Sequence, residues 1–260
     1  MILAVHVGNT HIVFGCALKG EVLDPVLSLA TDPNETAYGY AAKIRQIFAF
    51  ANFPCKDLKD AVLSSVVPSV SEAIVGAIRL LIGKDPLLVG AGVKTGLHIS
   101  IDDPGTLASD LVAAAVAAKE AYPLPCVIVD LGTATTLTCL DANGKYIGGA
   151  ILPGVKISLE ALAREASLLP VVEIIPPQKA IATATVESMR SGILFGAAGA
   201  IDGVLDRFAE QLGTEPASIV TTGGFGAMVC SYCRHSILTD EKLLLKGLAS
   251  IYKKNSRRVM

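Results

Sequence analysis

The sequence has no long apolar segment, no excess of basic charge and no second pair of closely spaced cysteines. It is 52% hydrophobic over 260 residues, but Asp, Lys or Gly interrupts each apolar run before the length of a membrane span. A net charge of −2 gives no basic field for nucleic acid. We therefore expect a protein with a sizeable core that binds neither membrane nor nucleic acid.

Two further absences concern the cellular compartment. The first residues have no basic stretch of the kind that opens a signal peptide, and they lead directly into an apolar run containing His6. The six cysteines are scattered, and Cys230 and Cys233 form a lone Cys-x-x-Cys, for which core packing is a better explanation than zinc or redox chemistry. We expect a cytoplasmic protein with reduced thiols.

The most informative stretch begins at Cys126. Four apolar residues lead into Asp130, Gly132 and a cluster of threonine hydroxyls, and a second apolar-alternating run reaches Ala142-Asn143-Gly144. Asn-Gly between two such runs predicts a β-hairpin. A glycine turn with one carboxylate, open backbone N–H groups and small hydroxyls is suited to hold a phosphate and its counter-ion.

The same pattern occurs at the start of the chain. Residues 3–15 contain an apolar run, the polar residue His6, Gly8 two positions later, and hydroxyl and amide side chains, with a hairpin turn at Lys19-Gly20. A duplicated strand-turn-strand predicts two similar halves and two phosphate-binding turns that face each other.

The rest of the chain alternates apolar strands with helical patterns, which predicts an α/β fold. We place the two halves at residues 1–115 and 116–260. Ser69 or Ser71 is expected to cap a helix near residues 72–82.

A long helical pattern over residues 187–212 carries glycines at positions 192, 196, 199 and 203. Glycines at spacings of three and four give a flat helix face that another helix can approach. Internal packing and the seam of a dimer explain this face equally well.

With its glycine turns in place, the sequence resembles the type III pantothenate kinases, also called the Bvg accessory factor family, over nearly all of its length. The resemblance rests on the segments Val7–Thr10, Asp130–Thr136, Gly148–Gly154, Thr185–Gly192, Thr222–Gly224 and Leu245–Leu248. It implies the duplicated ribonuclease H-like, actin-like fold of the acetate and sugar kinase, Hsp70 and actin superfamily. It also implies ATP-dependent phosphorylation of pantothenate to 4′-phosphopantothenate, the first step of coenzyme A biosynthesis, by a homodimer that uses Mg²⁺ and a monovalent cation, K⁺ or NH₄⁺.

The resemblance also implies site residues by position. Asp110 is expected to be the general base that takes the proton of the pantothenate hydroxyl, Asp130 to hold the monovalent cation, and Thr185 to contact pantothenate across the dimer. The expected ATP contacts are His6, Val7, Gly8, Asn9, Thr10, His11, Ile12, Val13 and Thr133. The expected pantothenate contacts are Ile101, Ala108, Ser109, Asp110, Leu111 and Thr185.

The sequence departs from the family pattern at polar positions. Histidine 6 stands where the family has the Asp that partners hydrated Mg²⁺, a cation that prefers oxygen ligands. We interpret His6 as a half-buried residue at a strand end, since pairing it with His11 gives only two ligands for a softer metal.

Two more departures remove polar groups. Leu111 replaces an arginine, which loses a bidentate partner for phosphate or carboxylate, and Ala184 replaces an asparagine. Two hypotheses follow. The chain is a working pantothenate kinase, or it is a catalytically impaired paralogue that acts as a nucleotide- or metabolite-binding or regulatory dimer.

Overall fold

The computed structural model describes residues 1–53 and 55–256. Strands and helices alternate along the chain, as the sequence predicts. The strands are β1 (Ile2–Val7), β2 (His11–Leu18), β3 (Glu21–Val22), β4 (Leu27–Ala30), β5 (Asp60–Ser65), β6 (Leu87–Leu88), β7 (His98–Ile99), β8 (Cys126–Leu131), β9 (Ala134–Leu140), β10 (Lys145–Pro153), β11 (Ser218–Thr222) and β12 (Leu238–Thr239). The helices are α1 (Ala37–Phe50), α2 (Pro68–Ile82), α3 (Ser109–Ala121), α4 (Val155–Glu165), α5 (Thr185–Leu212), α6 (Gly226–Cys230) and α7 (Leu243–Ser256).

The chain divides into two compact units. Unit 1 consists of Met1–Leu97, Asp102–Glu120 and Lys242–Met260, and unit 2 consists of His98–Ile101 and Ala121–Glu241. The division at 115/116 that we expect from the sequence stays a prediction. None of the helices in the described ranges combines the length and the apolar character that crossing a bilayer requires.

Unit 1 is built on a sheet with the strand order β3-β2-β1-β5-β6, and β4 also pairs with β2. Strand β1 is antiparallel to β2 and parallel to β5, with His6 opposite Ser64 in the register. Helices α1 and α2 cover this sheet because their apolar faces meet it. The largest fully buried side chains there include Phe14, Tyr40, Phe48, Leu63 and Ile74.

Unit 2 is built on a sheet with the order β12-β11-β8-β9-β10-β7. Its β8 is antiparallel to β9 and parallel to β11, as β1 is to β2 and β5 in unit 1. The core lies between this sheet and α5, with Leu194, Ile201 and Leu205 almost fully buried against strand residues such as Val129 and Leu137. Read across the sheet, the order β10-β9-β8-β11-β12 in unit 2 corresponds strand for strand to β3-β2-β1-β5-β6 in unit 1. The predicted duplication is therefore confirmed.

Both predicted hairpin turns are confirmed. In the first, Lys19 and Gly20 both have positive φ, 55° and 98°, which a tight two-residue hairpin requires. In the second, Gly144 has a φ of 68° and its N–H bonds to Asp141 O at 2.9 Å. The Asp141 carboxylate also accepts from the backbone N–H groups of Asn143 and Lys145, which fixes this turn.

Helix α2 begins earlier than the serine caps predict. Its first residue is Pro68, a residue suited to the first helical position because its missing N–H is not needed there. Ser71 is therefore inside the first turn, where its hydroxyl bonds to Val67 O at 3.0 Å. The expected start near residue 72 is wrong, because the proline signal outweighs the serine signals.

The close approach of α7 to α3 within unit 1 depends on Gly247. A Cβ on this residue would lie 1.8 Å from the backbone oxygen of Ala113, well inside contact distance. Residues 112–118 of α3 are all buried and four of them are alanine besides Ala113, so small side chains extend the contact. The two helices pack backbone to backbone at this point.

We expect Gly247→Ala to destabilise the protein by about 2 kcal/mol or more, because α7 must move away from Ala113 and lose packing. Urea unfolding followed by circular dichroism measures this. The matched control is Gly90→Ala, at a loop position where a Cβ meets nothing within 4 Å and φ lies outside the left-handed region, so stability should stay equal or rise. Equal stability of Gly247→Ala and wild type would contradict the packing described for α7.

Candidate functional site

The first glycine turn of unit 1 joins β1 to β2. Its ends are closed by a hydrogen bond from Gly8 N to His11 O at 3.0 Å. Thr31 supports the turn from β4's end, donating its hydroxyl to Gly8 O at 2.7 Å and its N–H to Thr10 O at 3.0 Å. Asn9, Thr10 and His11 are exposed. The turn is thus held by internal hydrogen bonds, and its tip is exposed to solvent.

A chain of hydrogen bonds links the end of β1 to the start of α3. His6 Nδ1 lies 3.3 Å from Ser64 Oγ, and Ser64 Oγ lies 2.9 Å from Ser109 Oγ. Ser109 Oγ also reaches Ser65 O at 3.4 Å. Ser64 is fully buried, so its hydroxyl depends on these partners. Sequence reasoning missed Ser64, and the available signal was a pair of serines inside an otherwise apolar strand.

Asp110 lies in the first turn of α3, next to this chain of hydrogen bonds. Its carboxylate is half-buried and accepts a hydrogen bond from the N–H of Leu111 at 2.8 Å. The positive end of a helix dipole favours a negative charge at this position. The structure therefore brings His6, Ser109 and Asp110, three of the predicted site residues, together in one cluster.

Burial lowers the pKa of His6 below the ordinary 6.5, while the negative charge of Asp110 acts in the opposite direction. Burial is the larger of the two effects, because an imidazolium ion loses its hydration when it is enclosed. His6 is therefore a neutral imidazole near neutral pH.

The second glycine turn, in unit 2, follows β8. Asp130 is half-buried and Thr133 is exposed, and Gly132 N bonds to Ala134 O at 3.0 Å. Two other glycines lie directly against this turn. A Cβ on Gly223, whose φ is 86°, would lie 2.5 Å from Asp130 Oδ1, and one on Gly154 would lie 2.1 Å from Thr133 O. No larger residue fits at either position without moving the turn.

The two turns differ by one residue. The first is closed between residues three apart, Gly8 and His11, and the second between residues two apart, Gly132 and Ala134. Each lies at the end of a central strand that is antiparallel to one neighbour and parallel to the other. The two turns therefore occupy equivalent places in the sheet topology, but the first has one more residue at its tip than the second.

The other predicted site residues occupy varied environments. Val7 and Ile12 are fully buried, so only their backbones can face a ligand. Ile101, Ala108, Leu111 and Val13 are half-buried, and Thr185, the first residue of α5, is exposed. The assignment of these residues to ATP or pantothenate stays a prediction.

A groove of about 230 Å³ lies in unit 2 beside the glycine face of α5. Its lining includes Thr135, Leu152, Ser158 and the α5 glycines 192 and 196. Most of the side chains that line the groove are apolar, and the groove is open along one side. It therefore resembles a surface for another apolar face more than a pocket for a charged ligand.

The sequence of this chain matches the profile of one protein family, described as type III pantothenate kinase, over residues 2–207. A type III pantothenate kinase from Halalkalibacterium halodurans is 39% identical to it over 255 residues, which covers 98% of this chain and 100% of the relative.

Three solved structures show the fold. One, described as a Baf family transcriptional activator from Campylobacter jejuni, has a TM-score of 0.62 at 20% identity and covers 98% of this chain and 100% of its own. Another is the activator of 2-hydroxyisocaproyl-CoA dehydratase from Clostridium difficile with bound ADPNP. It has a TM-score of 0.58 at 12% identity, and the match covers 100% of this chain and 98% of the activator. A third, component A of the (R)-2-hydroxyglutaryl-CoA dehydratase from Acidaminococcus fermentans, has a TM-score of 0.56 at 14% identity and covers 98% of each chain. These structures confirm the duplicated ribonuclease H-like, actin-like fold.

Because the pKa of His6 is lowered in the folded protein, we expect the metal-free protein to lose stability as the pH falls below 6.5. In that range the unfolded chain binds a proton at His6 before the folded protein does, so the free energy of unfolding decreases by up to about 1.4 kcal/mol per pH unit. Urea unfolding between about pH 5 and pH 8 measures the slope. His6→Gln should flatten it and His98→Gln, at an exposed histidine, should not; equal slopes in wild type and His6→Gln would contradict the prediction.

Proposed function

The chain belongs to the type III pantothenate kinase family, and we propose that it transfers the γ-phosphoryl group of ATP to the primary hydroxyl of pantothenate. The product is 4′-phosphopantothenate, the first intermediate of coenzyme A biosynthesis. The observation that carries the proposal is a half-buried carboxylate, Asp110, clustered with His6 and Ser109 at the glycine turn that follows β1.

Phosphoryl transfer requires positioned reactants and neutralised charge more than covalent chemistry from the protein. Asp110 accepts the proton of the pantothenate hydroxyl as the new O–P bond forms, and the bond from the γ-phosphorus to ADP breaks. Gly8 lets the backbone of the first turn approach phosphate oxygens, because no side chain intervenes. The N-terminus of α3 orients Asp110 for this role.

The remaining roles belong to the same proposal. Residues 6–13 bind the ATP phosphates, Thr133 contacts ATP, and Thr185 contacts pantothenate from the second subunit. Asp130 holds a monovalent cation, K⁺ or NH₄⁺, for which its carboxylate oxygens are suitable ligands. The fit of Gly223 and Gly154 against that turn supports a fixed geometry there.

An ATP-dependent kinase makes a divalent metal plausible, and the resemblance predicts Mg²⁺. No three His, Cys, Asp or Glu side chains gather to hold a metal within the described part of the chain. We propose that the cation binds with ATP and takes most of its ligands from phosphate oxygens and water, as Mg²⁺ usually does. When bound, such a cation offsets the phosphate charge.

We expect Asp110→Asn to lower kcat by a factor of about 10² to 10⁴ with little change in the KM for ATP, because the amide cannot take the proton. ADP release with pantothenate, K⁺ and either Mg²⁺ or Mn²⁺ measures this. The control is Asp102→Asn, which makes the same change at an exposed residue outside the cluster. Undiminished turnover by Asp110→Asn would contradict the assignment of the base.

The impaired-paralogue hypothesis is favoured by Leu111, which offers no guanidinium beside Asp110. The same assay on the double variant His6→Asp with Leu111→Arg separates the two functions. Turnover by wild type supports the kinase. Silence in wild type with a gain in the double variant supports the binding or regulatory role, and silence in both without nucleotide binding rejects the kinase.

We also propose that the protein is a homodimer with its seam along α5. Glycines 192, 196, 199 and 203 are all exposed, and a Cβ on any of them would meet nothing within 4 Å. Exposed apolar side chains occur in the same unit, including Ile151 at 78% exposure and Ile157 at 43%. A second copy of the glycine face would bury the flat surface that these four glycines form.

A charge on this seam should separate the subunits. We expect Gly199→Glu to raise the dimer dissociation constant by about 100-fold, because the carboxylate is desolvated without a partner. Sedimentation velocity over a concentration series measures it. Ala42→Glu, on the exposed side of α1, adds the same charge elsewhere and should leave the dimer intact. A monomeric wild type would overturn the dimer.

A cytoplasmic location completes the proposal. Cys126, Cys139, Cys230 and Cys233 have free thiols. Free thiols fit a reducing compartment, where disulfides are rare.

A further inference from the structure

The hydrogen bonds that hold the ring of His6 have a direction. Ser65 O is a carbonyl oxygen and can only accept, so Ser109 donates to it. The Ser109 oxygen then accepts from Ser64, and the Ser64 oxygen accepts from Nδ1–H of His6. This is the one arrangement that uses all three contacts.

This direction leaves the lone pair of His6 on Nε2. That atom lies beside the first turn, since a Cβ on Gly8 would be 3.2 Å from it. Histidines that bind metals generally donate their other ring N–H to a neighbouring group, which fixes the ring and makes the free nitrogen a better ligand. Ser64, fully buried and paired with His6 in the register, is such a neighbour.

The charge near the ring also suits a cation. Asp110 is close enough that its negative charge acts on His6, and the same field favours a metal ion at Nε2. A lone pair directed at phosphate oxygens, by contrast, is repelled unless a cation lies between them. His6 therefore has the orientation and the surroundings of a ligand.

We propose that Nε2 of His6 is a nitrogen ligand for a divalent transition-metal ion, of the Mn²⁺ or Co²⁺ class, that binds together with ATP. The proposal rests on the ATP site proposed above. A nitrogen ligand binds first-row transition-metal ions with affinity that rises in the order Mn²⁺, Fe²⁺, Co²⁺, whereas Mg²⁺ prefers oxygen. The histidine at this position then changes the preferred metal of the site. This role adds to the interpretation of His6 as a half-buried residue at a strand end, which its place in β1 agrees with.

Pulsed electron paramagnetic resonance on the full-length protein with Mn²⁺ and β,γ-imido ATP tests the ligand directly. Wild type should show coupling of the manganese to a histidine ¹⁴N nucleus. His6→Gln should lose this coupling, and His11→Gln, at the exposed histidine of the same turn, should keep it. Coupling that disappears only in His11→Gln overturns the proposal.

Calorimetry with the same nucleotide measures the preference. The ratio of Mn²⁺ to Mg²⁺ affinity should fall at least about tenfold in His6→Asp. Ser64→Ala should weaken Mn²⁺ binding by about tenfold or more and leave Mg²⁺ binding largely unchanged, because it removes the group that orients Nε2. Since Ser64→Ala keeps His6 in place, it decides the question even where a His6 variant fails to fold. Unchanged ratios in both variants overturn the proposal.

The failures of the two proposals are distinguishable. If β,γ-imido ATP binds with Mn²⁺ but wild type shows no nitrogen coupling, the metal ligand is wrong and the kinase proposal stands. If no nucleotide binds with either Mn²⁺ or Mg²⁺, the ATP site itself is wrong, and the proposed function fails with it.

Discussion

The parallel pairing of β1 with β5 is the constraint on which the candidate site of unit 1 depends. It sets His6 beside Ser64 across the two strands, at the ends where both leave the sheet. The buried Ser64 hydroxyl then reaches Ser109 on α3, which carries Asp110 on the next residue. A one-residue slip of β5 would turn Ser64 to the opposite face and break the connection to both partners.

Close backbone packing has the same importance in unit 2. Gly223 and Gly154 lie so near the second turn that side chains are excluded there, and Asp130 lies directly against Gly223. The first turn is instead held by Thr31 and is one residue longer. The two halves thus share a strand order, and they have diverged in how each turn is stabilised.

The features of this fold that depend on residues adjacent in the sequence could be predicted from the sequence. Asn143-Gly144 and Lys19-Gly20 make their hairpins through local backbone geometry, and the repeated apolar-glycine pattern indicates the duplication. The start of α2 was mispredicted because two adjacent local signals, Pro68 and the serines after it, compete.

The hydrogen-bond chain of the site could not be predicted. Its members are separated by 58 and 45 positions in the sequence, and only the pairing of distant strands brings them together. Asp110 was found through the resemblance, but the orientation of the His6 ring and the neutral state of its imidazole depend on burial and on Ser64. Those properties belong to the folded surroundings of His6 and have no local pattern.

The place of helix α7 in the sequence affects when unit 1 can finish folding during synthesis. The helix follows unit 2 in the sequence, yet it packs within unit 1, where Gly247 touches the backbone of α3. While the ribosome is still making residues after α3, the first unit has an apolar surface that α7 later covers. A nascent chain therefore completes its first unit only after its second has left the exit tunnel, and premature termination costs the N-terminal half its closing helix.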